Sequence, residues 1–279
     1  MADRNTGDSA GSDQGATVFD ADTAVERRGG GVFGATVTGR WNRLLGGPLG
    51  GYLVAICLRA LAEVMPLPDP LVFSAFFLRA GEVGPAEIQI ELMRAGRRTA
   101  SGEARLLQGG KERVRLVATF TDLRQRRGRT AVFNEPPEVT PPEQAINPLE
   151  GLPPGSATVA ERIEFRTPEP PGWLRGKPTG RAAGELWIRL ADGRDPDLLA
   201  LALLVDAIPL AVLELGEPGS TTLELTVHLR GHPAPGWLSC RNMTRHVIDG
   251  LHEEDVEIWD SRGALVAQSR QLAMLTDRG

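Results

Sequence analysis

Two stretches of this chain read as copies of one another, and that repetition limits the fold more than any other feature. The first is LVFSAFFLRAGEVGPAEIQIELMRAGRRTASGEARLLQGGKERVRLVATF, and the second is TLELTVHLRGHPAPGWLSCRNMTRHVIDGLHEEDVEIWDSRGALVAQSRQLAML. Each opens on an alternating strand that ends in Leu-Arg, at Leu78 and Arg79 in one and at Leu229 and Arg230 in the other. A turn, a second strand, a polar connection, a third strand, a Gly-containing turn and a final strand follow in both. LLQGGKERV of the first copy corresponds to IWDSRGALV of the second, and Arg79 and Arg230 stand 151 positions apart. A match over so many elements in one order identifies an internal duplication.

One helical segment precedes each copy. In GGYLVAICLRALAEVM, Leu53, Ile56, Cys57, Ala60, Leu61 and Val64 fall on one stripe at helical spacing. DPDLLALALLVDAIP opens with Asp195 or Asp197 as N-cap and is apolar on nearly every side until Asp206. A helix that is hydrophobic all round has to be wrapped by other structure. The strands suit that role: Leu223, Leu225, Val227 and Leu229 alternate with Thr222, Glu224, Thr226, His228 and Arg230, one face dry and one wet. A long helix followed by four antiparallel strands that curl round it is the hot-dog arrangement. Two copies predict an α+β double hot-dog, the first over residues 18–121 and the second over 159–279. Residues 122–158 between them are dense in proline and lack either period, so they predict a surface connection, its basic run at 124–129 solvated. Residues 1–17 are polar and without an apolar core, which predicts a disordered tail rather than a secretory signal.

Composition narrows the functional classes. The formal net charge of −5 argues against general nucleic-acid binding, and no uninterrupted apolar run approaches membrane-spanning length. The two cysteines, Cys57 and Cys240, sit in apolar segments and read as reduced, buried thiols of a cytoplasmic protein. There is no nucleophile elbow, phosphate loop or zinc motif. His228, His232, His246 and His252 offer no metal-ligand spacing, so neither a metal nor another cofactor is expected. GGPLGG at residues 46–51 opens a helix. Gly50 and Gly51 there could lend backbone N–H groups to an oxyanion, or simply let the helix dock closely; the two readings are compatible. Asp206, at a helix C-terminus, faces the negative end of the macrodipole. It is either a surface residue or a desolvated carboxylate whose raised pKa suits a general base. Arg79 and Arg230 are surface residues or contacts for phosphates.

DAIPLAVLELG, TLELTVHLR and WDSRGALVAQSRQLAML, in that order, resemble the second hot-dog of type II acyl-CoA thioesterases. GGYLVAICLRAL, FSAFFLRAG and RRTASGEARLLQGGKERVRLVATF resemble the first. The resemblance spans residues 35–275, is weakest in the proline-rich connection, and is nearest to an actinobacterial branch. It implies hydrolysis of acyl-CoA to a free fatty acid and CoA, within fatty acid metabolism. It also implies that Asp206, Thr222 and Gln271 hold and activate the attacking water. Thr221 adjoins Thr222, and strand alternation favours Thr222. Gln271 would share its face with Leu265, Ala267, Ser269 and Ala273, where a lone amide is costly without a partner. The chain departs from the best-known members at VFSAFF, where Phe73 and Ser74 replace a His-containing start of the strand; this bears on substrate shape. The alternative is a non-catalytic module that binds acyl-CoA or an acyl carrier protein. A hot-dog dehydratase would place a His near the central helix, and both helical segments lack one. No nucleic-acid or membrane partner is expected, and free sheet edges leave room for a homo-oligomer.

Overall fold

The computed structural model describes residues 16–276 apart from 45, 152, 154 and 156, so nearly all of the expected N-terminal tail lies outside the described residues. Thr17 caps a short helix, α1 (Val18–Asp22), and two strands follow, β1 (Glu26–Gly29) and β2 (Val32–Val37). The first central helix is α2 (Gly50–Ala62). After it come β3 (Asp69–Phe77), β4 (Gly84–Ala95), β5 (Ala100–Gln108) and β6 (Lys111–Thr121). The second half repeats this pattern with β7 (Ile163–Arg166), β8 (Ala183–Leu190) and the central helix α3 (Leu198–Ala207). It closes with β9 (Ser220–Leu229), β10 (Leu238–Met243), the two-residue β11 (Val247–Ile248), β12 (Leu251–Trp259) and β13 (Leu265–Leu275).

All the strands join one antiparallel sheet in the order β1-β2-β4-β5-β6-β3-β9-β13-β12-β10-β8-β7, with β11 on β12. The order is a palindrome of the two halves, which meet where β3 pairs with β9 and Ser74 lies opposite Thr226. This is the double hot-dog that the duplication predicts. Every second residue faces inward, as along β5, where Ala100, Gly102, Ala104 and Leu106 are buried and the inward series ends on the buried Gln108. The helices α2 and α3 pack against each other inside the sheet. Every residue of α2 from Gly51 to Leu61 is buried except Arg59. Asp197 is the N-cap of α3, its carboxylate accepting the Ala200 N–H at 2.8 Å. The run Leu198–Leu215 is long and apolar enough to cross a membrane by composition alone. In the fold it is the wrapped core helix, with Asp206 in its last turn, and the 3₁₀ turn after it.

Of the places where the strand register shifts, two fall at corresponding positions of the two halves. Glu224 of β9 lies opposite Leu272, yet Thr222 lies opposite Ala273, which leaves Leu223 as an extra residue. In β3, Val72 lies opposite Thr119 and Pro70 opposite Phe120, which leaves Leu71. Each is a bulge, and each turns the preceding residue onto the inner face. Among the described residues between β6 and the 3₁₀ turn Thr158–Glu161 no helix or longer strand forms. That connection is tied down instead by isolated contacts, such as the Trp187 indole N–H donated to Thr140 O at 2.8 Å and the bridge from Ile146 to Thr167.

Candidate active site

The site starts from two glycines. Gly50 and Gly51 open α2 where its N-terminus meets the C-terminus of α3. A Cβ on Gly51 would lie 2.8 Å from Leu203 O and 2.9 Å from Asp206 Cβ, and one on Gly50 would lie 2.7 Å from Phe77 Cε1. Only glycine lets the helices approach this closely, so the docking reading of GGPLGG holds. The approach brings the Gly51 N–H to Asp206 Oδ2 at 2.6 Å. The carboxylate that its own helix disfavours is thus taken by the positive end of another. Gly51's N–H is committed to the protein's own anion and is not left to meet a substrate oxyanion.

Burial pushes the Asp206 carboxyl up to about 6, while the Gly51 N–H and the Arg43 guanidinium draw it the other way. Asp206 is enclosed by protein except where it lines a cavity of about 840 Å³, within the range of small-molecule sites. Its Oδ1 has no hydrogen-bond partner among the described residues. Gly50 and Thr222 share the cavity wall with Asp206, and Leu53, Phe77, Phe165 and Trp173 give the wall its apolar character. Arg43 and Arg79 also line it; Arg230 does not. The proline-rich connection contributes Leu149 and Ala157, so it is part of the site as well as a surface link.

Thr222 and Gln271 meet. The Thr222 hydroxyl donates to Gln271 Oε1 at 3.1 Å. By alternation alone Thr222 would share the outer face with Glu224, away from Gln271. The bulge at Leu223 returns it to the inner face, where Gln271 lies opposite Leu225 and is 7% exposed. Thr221 is exposed and lies opposite Met274, and the bond to Gln271 belongs to Thr222. Gln271 stands behind the wall, its Nε2 without a partner among the described residues.

No histidine lines the cavity. His232 and His246 lie 3.2 Å from Asp69 and Glu253, and His252 is buried, its pKa lowered by desolvation. Among the described residues no cluster of His, Cys, Asp or Glu could hold a metal ion. Burial raises the pKa of both cysteine thiols, so neither is a thiolate nucleophile at neutral pH. Sequence reasoning missed Glu254, which is 2% exposed on β12 directly opposite Gln271. A signal was present: in HEEDVEIW, Glu254 falls in register with Val256 and Ile258, on the apolar face of an alternating strand.

Residues 37–121 match the family described as acyl-CoA thioesterase N-terminal domain, and residues 135–275 match its C-terminal domain. An uncharacterized Mycobacterium tuberculosis protein is 27% identical over 262 residues, covering 81% of this chain and 85% of that protein. The solved structure of a candidate thioesterase II from Thermobifida fusca superposes with a TM-score of 0.84 at 30% identity, covering 94% of this chain and 98% of that one. A hot-dog protein of unknown function from Alicyclobacillus acidocaldarius superposes equally well, at a TM-score of 0.84 and 23% identity, covering 95% of this chain and all of the other.

Proposed function

The chain belongs to the acyl-CoA thioesterase family and is a thioester hydrolase, and from that premise we propose that Asp206, Thr222 and Gln271 hold and activate the water that attacks the acyl carbonyl. The observation that carries this reading is their convergence. Asp206 from α3 and Thr222 from β9 line one apolar cavity, and Gln271 from β13 is hydrogen-bonded to Thr222 behind it.

Donor and acceptor logic fits one water. Thr222 donates its proton to Gln271, so toward the cavity its oxygen can only accept. Gln271 Nε2 can donate, and Asp206 Oδ1 can accept. A water giving one proton to Asp206 and one to Thr222, and accepting from Gln271, keeps one lone pair for the carbonyl carbon. As the C–O bond forms, Asp206 takes a proton and the carbonyl oxygen gains charge. The tetrahedral intermediate then collapses, the C–S bond breaks, and the proton passes from Asp206 to the departing CoA sulfur. The products are the free acid and CoA. Gly50, first in α2 and on the cavity wall, is the backbone N–H we assign to the oxyanion. Such a donor is worth on the order of 10²–10³ in rate, and a positioned base roughly 10²–10⁴. A base with a pKa near 6 is ionised at neutral pH yet still basic enough to help.

The test is release of free CoA thiol from a panel of acyl-CoA esters of different chain length, followed with a thiol reagent. Turnover on part of the panel is expected. Tight binding across the panel without any thiol release would leave only a binding module.

A further inference from the structure

Behind the Thr222–Gln271 pair the inner face stays polar for two more strands, and the cavity chemistry described above does not use those residues. Glu254 of β12 is almost fully buried, and both its oxygens accept. Oε2 takes the Ala211 N–H at 3.0 Å, and Oε1 takes an Asn242 Nδ2 proton at 3.0 Å. Asn242, buried on β10, gives its other Nδ2 proton to Pro209 O at 2.9 Å. These bonds seize the backbone on both sides of Leu210, three to five residues after Asp206, in a segment that lines the cavity. Asn242 holds this orientation although it leaves its own Oδ1 buried without a partner. Such a cost is met when Nδ2 feeds an ionised carboxylate.

We propose that Glu254, as a carboxylate, is a positioning residue for the hydrolytic reaction: with Asn242 it pins residues 209–211 and thereby sets Asp206 against the Thr222–Gln271 pair. The proposal rests on the hydrolytic reading of the Asp206 site. Protonation of Glu254 would remove one acceptor, break a strut and loosen that segment. Burial first, and then the fields of Asp206 and Asp255, push its pKa up to about 7. The groups that face it from the other packed elements are Gln271 of β13 and Asn242 of β10, both neutral. His252, two residues back on its own strand, is kept neutral by desolvation. Arg270 and Arg245 are engaged with Asp255 on the outer face. Among the described residues no cation acts on Glu254 itself, since Arg270 and Arg245 serve Asp255 and Arg43 acts on Asp206, and the strut gives way as pH falls through neutrality.

Glu254→Gln in the full chain tests this, read as the pH dependence of kcat/KM. In the unsubstituted protein the acid limb should carry two protons, one for Asp206 and one for Glu254. In the variant it should carry one and move to lower pH, because Asp206 has lost a like-charged neighbour. The plateau should fall about ten- to hundredfold, the scale of a small misplacement of a reacting group. An undiminished plateau, or a profile that superimposes on the unsubstituted one after scaling, overturns the proposal. Should Glu254→Gln fail to fold, Glu254→Asp keeps the charge on a shorter stem. It must then retain the two-proton limb under a lowered plateau, and a one-proton limb or a full plateau overturns the proposal. If the unsubstituted protein turns over no acyl-CoA, the hydrolytic reading falls and takes this one with it. If it does and the profiles superimpose, only this one falls.

Discussion

The paired helices have two ends, and the duplication built both from one plan. At one end the last turn of α3 carries Asp206, and at the other the last turn of α2 carries Arg59. Ala118 lies opposite Phe73 just as Gln271 lies opposite Leu225, and Pro70 lies opposite Phe120 just as Thr222 lies opposite Ala273. The bulges are kept at both ends, but the polar trio at the second is Arg, Pro and Ala at the first. There Arg59 donates to Thr23 Oγ1 at 2.9 Å and to Asp20 Oδ1 at 2.8 Å. Asp20 also holds Arg194, which reaches the α3 N-cap Asp197 at 2.6 Å. Burial alone would raise the Asp20 carboxyl, but Arg194, Thr17 and Arg59 hold it far below the usual carboxylate range. The helix α1 lies over this end with Phe19 buried beneath. A cation at a helix C-terminus suits the macrodipole and a carboxylate does not. One end is therefore built for stability, and the other keeps an ill-placed acid against a cavity.

Exchanging the chemistry of the two ends gives the sharpest contrast. Asp206→Asn should lower kcat/KM by roughly 10²–10⁴, whereas Arg59→Gln should leave turnover intact; equal losses in the thiol-release assay would erase the distinction. Gly51→Ala should act on fold and rate together. Its methyl would sit 2.8 Å from Leu203 O, so overpacking should cost about 1–3 kcal/mol in a denaturant melt and pull the N–H off Asp206. Asp206→Asn has a second signature, in stability. The fold raises this carboxyl from its ordinary value of 3.8 to about 6, so its penalty is absent below pH 3.8 and complete above pH 6. The variant should match the unsubstituted protein at acid pH and exceed it by about 1–3 kcal/mol at alkaline pH; no gain there would mean Asp206 is well solvated. The smallest expected effect is that of Thr222→Val. It loses one hydrogen bond worth about 1 kcal/mol, so turnover should fall five- to tenfold. The melting temperature should hardly move, and unchanged turnover would remove Thr222 from the site.

The duplicated strands, the stripe of α2 and the all-round apolar face of α3 made the fold legible, because hydrophobic period follows burial directly. Asp206 and Gln271 stood out as polar groups beside apolar neighbours, but the pattern left Asp206 either at the surface or desolvated, and the roles of both came from the family resemblance alone. Thr222 could be named but not placed. Its face depends on the Leu223 bulge, a one-residue register slip that leaves no mark in an alternating pattern. The commitment of Gly51 to Asp206 was also out of reach, since it joins residues 155 positions apart. Glu254 was overlooked as one acid in an acidic strand, because its partners lie on β10 and on the turn after α3.

In the proposed reading one end of the helix pair is a working site and the other is closed. Asp206→Asn tests it directly, because a protein that cannot hydrolyse acyl-CoA can be titrated with it. Calorimetry on that variant should show one acyl-CoA bound per chain, recovered unhydrolysed. Two equivalents per chain, or steady release of thiol at the unsubstituted rate, would contradict the account.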